Sequence, residues 1–215
     1  MTFSSREEAG RRLGHCLAER GVKTDIVVGL PRGGVIVAAE VARVLQRPLD
    51  VIVVRKIGHP KYREFAVGAM AEHGVVLLDE TAMAETRVER AELDKIIARE
   101  AGRLREYEAH FHSVGPRDFT NKSVLIVDDG LATGATTEAA IVSARKQGAC
   151  EVIVAAPVAS TKAADRLQLI CDGVEGILID PDFMAVGQYY DTFPQATDNE
   201  VAALLQHFRR PPAEV

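Results

Sequence analysis

Short apolar runs alternate along the chain with segments whose apolar residues recur every three or four positions. Residues 25–30 (DIVVGL) have the length and branching of a buried strand, and 33–46 (GGVIVAAEVARVLQ) have helical spacing. The same alternation predicts strands over 49–56, 74–80, 122–130, 150–160 and 174–180, and helices over 136–148, 161–171 and 198–208. Runs of Val, Ile and Leu without a polar face are buried on both sides. Separated by helices, they imply an α/β fold, doubly wound, with a mostly parallel sheet and helices on both faces. Ligands of such sheets bind at the carboxyl ends of the strands. The opening MTFSSREEAGRRLG reads as the first turns of a helix, with Ser4 or Ser5 as N-cap and Glu7 or Glu8 near its positive end.

One stretch departs from the alternation. Over residues ~81–112, Leu93, Ile97, Ala101, Leu104 and Phe111 recur at helical intervals opposite a charged face. The spacing predicts a helical insertion, for which packing on the core, a homodimer contact and a cap are the available roles. The tail RRPPAEV (209–215) is expected to fray.

Composition narrows the class. The 215 residues suit one domain (1–215) with an elaboration, and 47% hydrophobic content supports a substantial core. A net charge of −5 disfavours a nucleic-acid face, although a local basic site can still hold a phosphorylated small molecule. No apolar span is long enough for a membrane helix, and no secretory pattern opens the chain, so the expected location is cytoplasmic with no membrane partner. Cys16, Cys150 and Cys171 are few, scattered and odd in number, so they are expected as thiols. The six histidines show no metal-like cluster, and His110 and His112 are expected on solvated surface. A serine-hydrolase elbow is absent from the sequence.

The chemistry concentrates in IVDDGLATGAT (126–136). An apolar strand ends in Asp128 and Asp129, Gly130 permits a turn, and Ala132, Thr133, Gly134, Ala135 and Thr136 lead into a helix. Small residues, amides at a helix N-terminus and two hydroxyls can hold a phosphate monoester. The loop has no Lys and is not a Walker loop. Adjacent carboxylates would repel that phosphate, but they suit hydroxyl donors and hydrated divalent cations. A sugar bearing both a phosphate and a vicinal diol satisfies the whole arrangement.

VLIVDDGLATGAT resembles the phosphoribosyl-diphosphate motif of the type I phosphoribosyltransferases. The resemblance runs over roughly residues 25 to 195, with ~81–112 as an insertion. LPRGG (30–34) stands where that family binds pyrophosphate, which implies Pro31, Arg32, Gly33 and Gly34 as ligands. VVRK (53–56) brings Arg55 and Lys56 to a position where the family keeps basic residues. The resemblance further implies a mobile basic loop over 57–74, with Gly58, Pro60, Lys61 and Arg63, closing over the reaction. It implies transfer of the phosphoribosyl group to a nitrogen nucleophile with Mg²⁺ as cofactor. Asp128 and Asp129 then act on the ribose hydroxyls and the metal, and residues 132–136 on the 5′-phosphate.

PDFMAVGQYYDTF (181–193) resembles the small hood that covers the base in 6-oxopurine enzymes. That implies a base-covering segment over ~180–195, with Phe183, Met184 and Val186 near the nucleobase and Asp191 on the metal side. Met184 stands where that branch has a stacking Phe, and Ala132 where it has an Asp. The second feature looks like the adenine and orotate branches, so the acceptor stays open as a small nitrogenous compound. A non-catalytic sensor of phosphoribosyl diphosphate or a nucleotide is the alternative reading.

Overall fold

The computed structural model describes residues 2–62, 65–112 and 118–209. In chain order the elements are α1 (Arg6–Glu19), β1 (Ile26–Gly29), α2 (Gly33–Leu45), β2 (Leu49–Val51), β3 (Val54–Gly58), β4 (Ala66–Ala71), β5 (Val75–Leu78), α3 (Glu80–Thr86), α4 (Arg90–Phe111), β6 (Ser123–Val127), α5 (Ala135–Lys146), β7 (Glu151–Ser160), α6 (Thr161–Gln168), β8 (Gly173–Asp180) and α7 (Asp198–Arg209). A parallel sheet in the order β2-β1-β6-β7-β8 forms the centre, as expected from the apolar runs.

Both faces of this sheet are dry. Val27, Leu125 and Val127 face one core with Leu13 and Leu17 of α1 and Val37 and Val41 of α2. Ile26, Val28, Val124 and Ile126 face the other, with Ala139 and Ile141 of α5 and Leu167 of α6. Period-2 alternation therefore sends successive Val and Ile residues to opposite cores, which is why the strands carry no polar face. Helices α1 and α2 meet closely because Gly10 leaves room: a Cβ there would stand 2.7 Å from the Val37 carbonyl oxygen.

Register places the functional edge. Gly29 pairs with Val51 on one side and with Val127 on the other. The Leu30 amide donates to the Val127 carbonyl at 3.1 Å. The segments after β1 and β6 therefore leave the sheet side by side.

Four expectations need correction. The strand expected over 49–56 divides after Val51, so Arg55 and Lys56 lie in β3 and not at a tip of the parallel sheet. The strand expected over 74–80 (β5) belongs to a separate antiparallel sheet, ordered β3-β4-β5. Part of the stretch expected as a loop over 57–74 is β4 (Ala66–Ala71), whose Val67 and Ala69 are buried; Arg63 lies outside the described residues. The helical pattern over ~81–112 is two helices, α3 and α4, because the chain turns at Arg87, a C-cap with φ 54°. The tail from residue 210 lies outside the described residues.

His112 also departs from expectation. Its ring is largely buried, and Nε2 lies 2.9 Å from Glu72 Oε1. Among the described residues, no helix is long and apolar enough to cross a membrane.

Candidate active site

The acid pair and the loop after β1 are in direct contact. A Cβ on Gly33 would fall on Asp129 Oδ2, and one on Gly34 would stand 2.8 Å from Asp128 Oδ1. These two glycines are required by close approach, not by backbone angle. The peptide between Pro31 and Arg32 is cis. Two loops expected to share one sugar ester thus lie one atom layer apart.

The loop after the acid pair is braced by β7, which runs beyond its neighbours. The Leu131 amide donates to the Val158 carbonyl at 2.9 Å, and the Ser160 amide donates back to the Leu131 carbonyl at 2.8 Å. Ser160 Oγ donates to the Ala132 carbonyl at 2.7 Å. Ala132 and Thr133 are exposed, while Ala135 and Thr136 are partly covered. Gly134, at φ 76°, turns the chain into α5.

Helices α2 and α5 both begin at this edge without a cap from their N-cap residues, and at α5 only a long 3.4 Å bond from the Ala135 amide to Thr133 Oγ1 engages the first turn. By contrast, Ser5, Asp79 and Ser160 cap α1, α3 and α6. Uncapped first-turn amides with a helix dipole behind them favour an anion. Both loops expected to take phosphate groups therefore have that character.

A cavity of about 510 Å³ opens beside them. Its wall includes Pro31, Arg32, Gly33, Arg55, Tyr107 and Arg6. Each arginine is backed by a carboxylate: Arg6 by Asp129 at 2.7 Å, Arg55 by Glu100 at 2.7 Å, and Arg32 more loosely by Asp198 at 3.7 Å. Glu100 also meets Arg99 and Arg103. Burial acts to raise the Glu100 pKa, but its hydrogen bond and ion pair with Arg55, followed by Arg99 and Arg103, outweigh burial and hold it low. The structure thus brings Arg55 to Pro31–Gly33. Lys56 is exposed and is not in this cavity's wall.

The acid pair is asymmetric. Burial raises the Asp128 pKa well above the usual carboxylate range, and the Asp129 charge adds to it; the Asp129 amide and Arg6 oppose without reversing it. Asp129 is ion-paired to Arg6, whose Nη1 donates to the Pro194 carbonyl at 2.6 Å and whose guanidinium lies 3.7 Å from the Phe193 ring centre. Sequence reasoning missed Arg6. One signal was available: a cation in the first turn of a helix opposes the dipole that Glu7 and Glu8 satisfy.

The expected base-covering segment is mixed. Val186 packs on the acid-pair loop, since a Cβ on Gly130 would stand 2.6 Å from its Cγ1. Phe183 stacks on Tyr189 at 5.3 Å. Met184 is 87% exposed and covers nothing. Asp191 is exposed; its backbone amide donates to the Phe3 carbonyl at 2.8 Å. Among the described residues, no group of three acidic, His or Cys side chains is arranged to hold a metal. Asp128, Asp129 and Asp191 therefore do not form a three-ligand cage.

A family model described as "Phosphoribosyl transferase domain" matches residues 7–189. The chain belongs to the phosphoribosyltransferase family. It is 41% identical over 213 residues to a Mycobacterium tuberculosis protein named "Putative phosphoribosyl transferase Rv0571c", covering 99% of this chain and 48% of that one. The chain thus spans about half the length of the curated relatives it matches. Among solved structures it is similar to TT1426 from Thermus thermophilus, with 40% identity, a TM-score of 0.80, and coverage of 97% of this chain and 99% of that one. AQ2163 from Aquifex aeolicus shares the fold, with 12% identity, a TM-score of 0.50, and coverage of 81% and 74%.

For a phosphoribosyltransferase, the donor set here fits Mg²⁺ in a limited way. Asp128 and Asp129 offer hard oxygen atoms, but one oxygen of Asp129 already faces Arg6. Mg²⁺ commonly takes one or two carboxylates and completes its shell with water and substrate phosphates. The residues present suit that mode and not an all-protein site.

Proposed function

We propose that the chain transfers the phosphoribosyl group from phosphoribosyl diphosphate to a nitrogen nucleophile, a small nucleobase-like acceptor, and releases pyrophosphate. The observation that carries this reading is the contact of Gly33 and Gly34 with Asp129 and Asp128. A diol held by the acid pair has the pyrophosphate loop against it, as one donor molecule requires.

Residues 132–136 hold the 5′-phosphate through backbone amides and the Thr133 and Thr136 hydroxyls. Asp128 and Asp129 accept from the ribose hydroxyls and place negative charge near the cationic sugar carbon of the transition state. Pro31–Gly34, with Arg32 and Arg55, stabilise the departing diphosphate; Lys56 acts from the exposed side. When bound, Mg²⁺ neutralises charge on the diphosphate, with Asp128 and Asp129 as the protein's contribution. Val186 and Phe183 flank the acceptor, while Met184 and Asp191 have no part in the ligand-free arrangement. The domain extent (1–215), a cytoplasmic setting and a homodimer belong to the same proposal.

The test is pyrophosphate release from phosphoribosyl diphosphate and Mg²⁺ with a panel of purine, pyrimidine and other nitrogen acceptors. Acceptor-dependent release supports the reading. Tight donor binding without release under any acceptor would favour a sensor instead, and no donor binding would end both.

A further inference from the structure

Arg6 has no role in the chemistry above, yet it is among the most constrained side chains of the site. The residue is 7% exposed. Three separate groups fix it: Asp129 Oδ2 at 2.7 Å from Nε, the Pro194 carbonyl at 2.6 Å from Nη1, and the Phe193 ring beneath the guanidinium. The ion pair joins positions 123 residues apart. Its place in the first turn of α1 opposes that helix's dipole, so the helix does not explain it. A buried ion pair is also weak evidence for stability, since desolvation offsets much of its attraction.

The contact decides where Asp129 points. Arg6 Nε holds Oδ2 at 2.7 Å in the space that a Cβ on Gly33 would fill. The backbone of Asp129 is held from the same segment, where Tyr190 donates to its carbonyl at 2.7 Å. Asp128 makes no ion pair among the described residues.

We propose that Arg6 is a positioning residue: it fixes Asp129 by one carboxylate oxygen against the pyrophosphate loop, so that the other oxygen is presented to the sugar diol. The inference rests on the donor assignment above. It makes Phe193 and Pro194, which seat Arg6, part of the same device. The beginning of α1 and the end of the base-covering segment thereby set the aim of a carboxylate that belongs to neither.

Ligand-free crystal structures of Arg6→Met and Arg6→Lys, and the affinity of phosphoribosyl diphosphate with Mg²⁺ measured by calorimetry, test this. In Arg6→Met the Asp129 carboxylate is expected to turn away from Gly33, and donor affinity to fall ~10–100-fold, the range for residues that orient a ligating group. Arg6→Lys, which keeps the charge but not the fork, recovers part of the loss. In an Asp129→Asn background, Arg6→Met adds nothing. An unmoved Asp129 in the Arg6→Met crystal structure, or an Arg6→Met loss that persists in full beside Asp129→Asn, overturns the proposal. If the wild-type protein does not bind the donor, the functional reading falls, while the crystal structures still decide what Arg6 does to Asp129. Should Arg6→Met not fold, Arg6→Lys carries the affinity comparison, and a loss that persists in full beside Asp129→Asn then overturns the proposal.

Discussion

The Tyr190 hydroxyl donates a 2.7 Å hydrogen bond to the backbone carbonyl of Asp129, across 61 residues of chain. Tyr190 is buried and braced by Phe3 at 5.6 Å and Phe193 at 4.9 Å. Burial, and then the Asp129 charge, hold its hydroxyl far above the usual pKa, so it remains a donor at any working pH. Tyr190→Phe removes the donor and is expected to cost about 1 kcal/mol. The folded-state pKa lies above that of the unfolded chain, about 10. The contribution is therefore whole below that pH and is lost as pH rises past it. Denaturant midpoints between pH 9 and 11, as a range spanning about pH 10, should fall faster for the wild type than for Tyr190→Phe.

Gly33→Ala should separate close approach from backbone freedom. The added Cβ falls on Asp129 Oδ2 and 2.7 Å from Arg6 Nε, both held in place. Overpacking of this kind costs about 1–3 kcal/mol, and donor binding should weaken because Asp129 must move. Gly102→Ala is the control. It lies within α4 with nothing inside 4 Å of the new Cβ. That change is expected to stabilise by about 0.5–1 kcal/mol and to leave donor binding unchanged. Thermal melts and calorimetry read both.

How much of this was legible in the sequence follows from the range of the contacts involved. The parallel sheet was readable because Val27 and Val28 each need a core, and only a doubly covered sheet supplies two. The phosphate-type loops were readable because their glycines, hydroxyls and acids are contiguous. The break between Val51 and Val54 was not, since an unbroken apolar run carries no mark of which sheet each half joins. The division of α3 from α4 rests on a non-glycine residue, Arg87, in a left-handed turn. Arg6 and Glu100 escaped because an ion pair between distant positions has no periodicity. His112 escaped because its partner, Glu72, is forty positions away on the end of a strand expected as loop.

The two aspartates should respond to neutralisation with opposite effects on stability and similar effects on function. Asp128 has a raised pKa from burial and from Asp129. Its favourable contribution is present below the unfolded carboxylate value and is lost as pH rises, so above that value a titratable carboxyl here costs stability relative to a neutral side chain. Asp128→Asn keeps the oxygen that accepts the Asp129 amide at 2.9 Å. Its melting temperature should exceed the wild type's at pH 7 by a margin that shrinks below about pH 4. Asp129→Asn removes the partner of a buried guanidinium and should melt lower at pH 7. Both should keep the wild-type far-UV circular dichroism and lose turnover, by ~100-fold or more for Asp129→Asn, as for other groups that meet transition-state charge.

Glu100 links α4 to the cavity, and its pH dependence runs the other way. The residue is 5% exposed and receives Arg55 through Nε at 3.1 Å and Nη2 at 2.7 Å. Its folded-state pKa is held below the ordinary 4.5. The stabilisation is therefore present above that value and is lost as pH falls through the lowered one. Glu100→Gln gives up charge-assisted hydrogen bonds and should cost about 2 kcal/mol at pH 7. The deficit should close on acidification below pH 4.5, because the wild type then loses the same charge. Arg55, no longer anchored, should swing from the cavity wall, and pyrophosphate affinity should drop ~10-fold. Urea unfolding from pH 3 to 7, about the carboxylate range, and pyrophosphate calorimetry at pH 7 give the two measurements. A pH-independent deficit would mean that α4 is held by packing alone and that the Arg55–Glu100 pair contributes nothing to the cavity.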